Sequence, residues 1–409
     1  MQFHTKICDL IEDREDLNLT IVANKIGVSK QYMSKFKHKG TIGFYQLLKL
    51  SYILCDEGKT ATETMVEWCL ELDTAEAVKH SFEYACLTRN IPLLKQLLEK
   101  HKQETGTILE YVKVYTVLYK YIVNELPGNQ IINELKPIGH PKDKILEILM
   151  EIMKCYGYYH LKKFNLMLET IEQVERQVKD IDGDRKLFIK ECYLYRIAEV
   201  FAPVFLQRNN TYLARKYAES LINTNACLKT VSDAFYIIGM SYLCKDKEKS
   251  LEFLKKSYNI AKTINDDELI KEARFNLDVA KIYLGIELED DSDPRLALYQ
   301  KDPKSELSIN SLQDIIDKEG EKDFLYFFIA ASSKSPTALY EQFQTFFYQS
   351  NFLFSSIVAR ELCNRGDSSL LTQSMVDFGN VKYKGVVGIE EDNISNLYIF
   401  NSNNSSIFV

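Results

Sequence analysis

Glycine and proline are scarce, 16 and 8 residues in a chain of 409. So few turn-formers leave long uninterrupted stretches, which excludes a turn-rich β fold and favours helices. No apolar run approaches the roughly 20 residues that a membrane span needs. The N-terminus, MQFHTKICDLIEDRED, is acidic and amphipathic, unlike a signal peptide. The nine cysteines stand singly, with no CxxC pair and no Cys/His group at zinc spacing. They read as buried free thiols in a reducing cytoplasm. P-loop, dinucleotide glycine fingerprint, HExxH and GxSxG are all missing, and the six histidines lie far apart in sequence. The reading therefore contains no catalytic residue, no metal and no cofactor: the chain is not expected to be an enzyme. The net charge of −7 argues against general coating of nucleic acid.

One further absence is local. From Asn18 to Gly40 there is no acidic residue, while five lysines occur. Within this stretch, LTIVANKIGVSKQYMSKFKHK reads as a helix-turn-helix. Ala23 falls where two helices touch, and only a small side chain fits there. Gly27 supplies the turn, because glycine accepts positive φ without a Cβ clash. Ser29 caps the second helix, and Val22, Ile26, Val28, Met33 and Phe36 form a small core. The positions left over are cations and hydrogen-bonding groups. Ser29, Lys30, Gln31, Tyr32, Ser34, Lys35, Lys37 and Lys39 are the candidate DNA-binding residues, with double-stranded DNA as partner.

The fold class read from the whole chain is all-α: an N-terminal helix-turn-helix bundle followed by an α-solenoid of divergent tetratricopeptide-like repeats. A first helix carries Phe3, Ile7, Leu10 and Ile11 on one face, and FYQLLKLSYIL (44–54) closes the bundle. The boundary is placed at Glu57-Gly58-Lys59, giving a DNA-binding domain over 1–57 and a solenoid over 58–288. Apolar residues recur at helical period from 60 to about 286, broken at Asn90, Pro127-Gly128, Pro137 to Pro141, Asp182-Gly183, Asn209-Asn210 and Asn265. EDDSDPRLALYQKDPK (289–304) reads as a loop. Four helices rich in Phe and Tyr follow within 305–366, with FLYFFIAA (324–331) as core or subunit interface and 321–364 as the expected homodimer contact. Residues 367–409 read as an irregular tail, extended around Lys382–Ile389, with a solvated turn at Glu390, Glu391 and Asp392 and a polar end at Asn401–Ser406.

In DAFYIIGMSYLCKDKEKSLEFLKKSYNIAK, Phe235, Ile238, Gly239 and Tyr242 match the first-helix positions of a tetratricopeptide repeat. Ser250, Leu254 and Ser257 fit the small-large-small positions of the second helix. Gly239 in mid-helix implies close packing by a neighbour. First helices of such pairs line a groove. The register set by Gly239 turns Asp233 and Tyr236 inward, with Lys229 one turn earlier on the same face. The equivalent register around Ala202 turns Arg196, Glu199 and Pro203 inward, and around Ala280 it turns Arg274 and Lys281 inward. Arg196, Glu199, Lys229, Asp233, Tyr236, Arg274 and Asn276 are the candidate peptide-binding residues. Charges of both signs along one groove suit a short peptide. They could equally pair with one another across the helices.

With its helix-turn-helix ahead of a divergent solenoid, the chain resembles the peptide-pheromone regulators of Gram-positive bacteria and their phages. More narrowly it is similar to the AimR-like arbitrium receptors, through MVEWCLELDTAEAVKHSFEYA (65–85) and YIIGMSYL (236–243). The resemblance implies a cytoplasmic homodimer in a bacterial host cell. That dimer would bind an operator, act in the lysis-lysogeny decision, and be controlled by a short communication peptide in the groove. It implies Lys229 as a cation towards the peptide, and Pro203 stands where the family has an asparagine. Two alternatives share the architecture: a pheromone regulator of another process, or a solenoid regulator whose groove takes a protein partner.

Overall fold

The computed structural model describes residues 2–55 and 59–379. Glu57 and Gly58 of the expected boundary lie outside the described residues. So do Lys382–Ile389, Glu390 to Asp392 and Asn401–Ser406. Among the described residues every regular element is a helix and no strand forms. The described residues divide into two compact units, one up to Ile197 and one from Ala198.

The first unit begins with α1 (Phe3–Glu12), α2 (Leu19–Ile26), α3 (Lys30–Lys39) and α4 (Phe44–Leu54). It continues with α5 (Ala61–Glu71), α6 (Ala75–Leu87), α7 (Ile91–His101), α8 (Thr107–Ile122), α9 (Ile131–Leu135), α10 (Lys144–His160) and α11 (Phe164–Lys179). Helix α12 (Leu187–Gln207) begins in this unit. Thr60 opens α5 with a capping box, its hydroxyl accepting from the Glu63 amide while the Glu63 carboxylate accepts from the Thr60 amide. From α5 onward neighbouring helices pack mainly on one another, as a stack of short antiparallel helices requires. Three of them are tied by buried charge. Arg196 on α12 donates from Nε to Glu83 Oε1 on α6 at 2.6 Å, and Tyr115 on α8 donates its hydroxyl to Glu83 Oε2 at 2.5 Å.

The second unit runs through α13 (Thr211–Thr224), α14 (Leu228–Tyr242), α15 (Lys247–Ile264), α16 (Asp267–Tyr283), α17 (Pro294–Lys301), α18 (Glu306–Glu319), α19 (Asp323–Ser332), α20 (Thr337–Tyr348), α21 (Phe352–Asn364) and α22 (Leu370–Val376). The repeat-like pair is α14 with α15. Ser250, Leu254 and Ser257 of α15 are buried, and Ser232 on α14 donates its hydroxyl to the Ser257 carbonyl at 2.9 Å.

Two stretches differ from the sequence reading. The segment 289–304, expected as a loop, contains α17. Asp293 caps it through the Arg295 amide, and Pro294 takes the first helical position, where the missing N–H has no partner to lose. Tyr299 of α17 then stacks on Phe328 at 5.1 Å, and Phe324, Leu325, Phe327, Phe328 and Ala330 are buried, while Tyr326, Ile329 and Ala331 stay half-buried. At the other end, α22 occupies the start of the segment read as irregular.

Gly239 yields the first prediction. A Cβ there would stand 2.7 Å from Leu254 Cγ and 3.1 Å from the Leu254 amide nitrogen. Alanine gains about 1 kcal/mol in helix propensity, but overpacking against backbone costs about 1–3 kcal/mol. Gly239→Ala should therefore lower the urea midpoint of the second unit. Leu254 is buried and its truncation costs about 2–5 kcal/mol on its own, so Gly239→Ala with Leu254→Ala should lose less than the sum of the two single changes.

Candidate nucleic-acid interface and candidate groove

The α2–α3 unit is built by caps. Asn18 Oδ1 accepts from the amides of Thr20 and Ile21, both at 2.9 Å, and so starts α2. Gly27 ends it at φ 75°, with Val28 N–H donating to the Ala23 carbonyl and Gly27 N–H to that of Asn24. This paired closure needs a residue in the left-handed region, hence glycine. Ser29 Oγ accepts from the Tyr32 amide at 3.1 Å and starts α3. Val22, Ala23, Ile26, Met33 and Phe36 are at most 1% exposed. They leave the opposite face of α3 to solvent.

The eight residues chosen from sequence on this unit fall into two groups. Lys30, Gln31, Ser34, Lys35 and Lys39 are exposed, and their side chains make no hydrogen bond or ion pair among the described residues. Ser29 is engaged in the cap. The Tyr32 hydroxyl accepts from the Gly43 amide at 2.7 Å, bracing α3 on α4. Lys37 pairs with Glu12 of α1. No short-range signal links Glu12 to Lys37, 25 residues away.

The seven groove candidates are also divided. Arg196 is 2% exposed, and its guanidinium is committed to Glu83. Arg274 faces its own helix and the loop after it. It donates from Nε to Asp278 at 3.0 Å and from Nη2 to Asp291 at 2.7 Å and Ser292 at 3.0 Å, with Glu289 3.0 Å from Nη1. Lys281, nearly buried, pairs with Glu289 at 2.8 Å. Glu199 accepts from Thr230 Oγ1 at 3.0 Å, which sets α12 beside the first turn of α14. There Lys229 and Asp233 are exposed and Tyr236 is half-buried; Asn276 on α16 is half-buried too. The structure thus brings Glu199, Lys229, Asp233 and Tyr236 to neighbouring helices, and gives Arg196 and Arg274 internal partners. Pro203 stands inside α12, where its ring removes one helical N–H.

Sequence reasoning missed the seam between α4 and the helices beneath it. Phe44 packs on Phe188 at 4.6 Å, His80 at 5.6 Å and Tyr84 at 6.0 Å. Burial, with Lys79 adding to it, pushes the His80 imidazole down to about 4, so it is neutral near pH 7. Glu191, one turn after Phe188, is 5% exposed and has one oxygen without a hydrogen-bond partner. Burial lifts its carboxyl to about 8, against the opposing pull of Lys49.

Short helices packed in series in each unit define the class as a helical-repeat protein. Residues 61–364, well over half of the chain, match the family described as AimR transcriptional regulator-like, and the chain belongs to that family. The match begins at α5 and ends at α21, so α1 to α4 lie outside it. Among solved structures, phAimR in its selenomethionine form is 19% identical with a TM-score of 0.64, over 91% of this chain and 100% of that one. A phAimR structure with a ligand is 20% identical, also at 0.64, over 80% of this chain and 99% of that one. At such identities the likeness is one of fold. No curated protein sequence matches the chain.

The raised Glu191 pKa gives a signed pH dependence. The folded chain holds this proton more tightly than the unfolded chain does. The associated stability is full below about 4.5 and is lost as pH rises through about 8. Glu191→Gln should be more stable than the parent at pH 8.5, by about 1–3 kcal/mol for relief of an unmet buried group, and close to it at pH 5. Urea midpoints across that range check the sign.

Proposed function

We propose that the chain is a DNA-binding transcriptional regulator of the arbitrium receptor type, acting in a phage lysis-lysogeny decision within the host cytoplasm. A short communication peptide in the groove controls its DNA binding. The observation that carries the reading is the outer face of α3 in a member of this family. Lys30, Gln31, Ser34, Lys35 and Lys39 stand there without partners, and no acidic residue lies between Asn18 and Gly40. Lysines on the rim contact phosphates, and Gln31 and Ser34 read base edges. Ser29, Tyr32 and Lys37 shape or brace the unit.

The peptide reading rests on Glu199, Lys229, Asp233, Tyr236 and Asn276. Lys229 meets the peptide's carboxylate, and Asp233 takes a basic side chain or the N-terminal amine through charge-assisted hydrogen bonds. Among the described residues no helix is long and apolar enough to cross a membrane. The chain acts as a homodimer, because two small DNA-reading units hold two half-sites better than one. The contact is placed within 321–364, where Tyr348 on α20 is 77% exposed, and extends to Leu370 and Leu371, 82% and 67% exposed, on α22.

Four measurements test these assignments. With a duplex selected by the parent from a random pool, Lys30→Gln with Lys35→Gln should reduce the slope of log affinity against log salt by about 2, at unchanged helix content. Gln31→Ala should weaken that duplex more than random-sequence DNA. Calorimetry with short peptides selected from a random pool should show Asp233→Lys weakening binding by about 2–5 kcal/mol, with DNA binding retained; parent-like peptide binding would remove Asp233 from the groove. Leu370→Lys with Leu371→Lys should give a monomer by light scattering.

A further inference from the structure

Two cations of α16 are covered by their own chain. Arg274 and Lys281 stand on the face that the repeat register turns to the groove, with 14% and 4% of their side chains exposed. The cover is the segment that follows the helix. Lys281 donates from Nζ to Glu289 Oε1 at 2.8 Å, and Glu289 Oε2 lies 3.0 Å from Arg274 Nη1. Arg274 also donates from Nη2 to Asp291 Oδ1 at 2.7 Å. Both carboxylates stay largely in water, 57% and 72% exposed. Ion pairs with one member so exposed are weak, so Glu289 and Asp291 leave with little change in their own solvation.

Beneath the cover one acceptor is unmet. Asp278 is 1% exposed, and its Oδ2 accepts from Arg274 Nε at 3.0 Å. Its Oδ1 has no hydrogen-bond partner, with Lys281 Nζ 3.9 Å away. Glu289 thus holds Lys281 off a buried carboxylate that lacks a donor, and the closed arrangement is incompletely satisfied.

The covering segment is pinned at its ends rather than its middle. Gln300 of α17 donates from Nε2 to the Ile286 carbonyl at 2.6 Å and accepts from the Leu288 amide at 3.0 Å. At the other end Asp293 caps α17 through the Arg295 amide at 2.8 Å. The Ser292 amide donates to the Glu289 carbonyl at 3.0 Å and closes the turn between them. Among the described residues, Glu289 and Asp291 hold α16 through their side chains alone.

We infer, on the reading that the groove takes a short peptide, that Arg274 and Lys281 form a carboxylate subsite of that groove. Glu289 and Asp291 are its built-in competitor, a strap that a carboxylate of the peptide displaces. That carboxylate is the peptide's C-terminus or an acidic side chain; in a peptide with two, Lys229 holds the other. The strap makes the chain answer only to a ligand that replaces the charge it removes.

The test uses the full chain, as parent and as Glu289→Gln with Asp291→Asn, and short peptides that the parent selects from a random pool. By calorimetry the strap variant should bind them about tenfold tighter, the scale on which a few solvent-facing ion pairs hold a strap shut. Amidating the peptide's C-terminus, or changing its Asp and Glu to Asn and Gln, should remove the gain, and whichever does so identifies the carboxylate. Amide exchange reads the strap without a peptide. At Ser292 the variant should exchange about tenfold faster, with Leu288 at the parent rate. In the parent, glutarate should speed exchange at Ser292 beyond sodium chloride of equal ionic strength. Equal or weaker peptide binding by the variant overturns the inference. So does a gain that survives loss of every peptide carboxylate, or a Ser292 rate that glutarate moves no more than chloride. If the parent selects no peptide, the peptide reading fails, and glutarate still decides whether Arg274 and Lys281 accept a foreign carboxylate.

Discussion

Glu83 and Arg196 are both closed off from water and lie 113 residues apart in sequence, so neither can hold its charge unless the helices carrying them stay together. Removing one partner of such a pair costs about 3–5 kcal/mol, because the other is left as an unmet buried charge. Tyr115 adds a third helix by donating to the same carboxylate. The pair therefore fixes α6, α8 and α12 against one another more specifically than apolar packing alone. The basic unit is mounted on that frame. Its own core is small, essentially Val22, Ala23, Ile26, Met33 and Phe36, and a bundle of that size buries little on its own. Phe44, set among Phe188, His80 and Tyr84, extends the core into the frame.

Polar chemistry within the two units is divided between holding and offering. Arg196, Arg274, Lys281 and Lys37 all have carboxylate partners and brace the fold. Lys30, Lys35, Lys39 and Lys229 reach solvent without one among the described residues. This split carries more functional information than the number of cations. A paired arginine must give up its partner before it can take a ligand, whereas an unpaired lysine gives up only water.

Much of this was legible in the sequence because it is local. Gly27, Ser29 and Ala23 act within a few residues of where they stand, and a 3.6-residue apolar period marks each helix of the stack. Gly239 announced its contact with Leu254 because only a close neighbour makes a mid-helix glycine useful. What sequence could not supply is pairing across distance. Nothing near Arg196 points to Glu83, and the register that turned Arg196 towards a groove was a sound helical argument missing its counter-ion. The acidic residues at 289–291 read as solvated loop, yet two of them close over Arg274 and Lys281. Pro294 was legible in principle. Preceded by Asp293, it is the start of a helix, and its placement in a polar stretch masked that.

The central claim is that α3, held by α4 on the solenoid frame, is the surface that meets DNA. Hydrogen exchange of the full chain with and without a duplex it has selected from a random pool addresses this directly. The account predicts new protection concentrated in Ser29–Lys39, with the buried helices α6, α8 and α12 unchanged. Tight duplex binding that leaves Ser29–Lys39 at its free rate, with protection elsewhere, would contradict it.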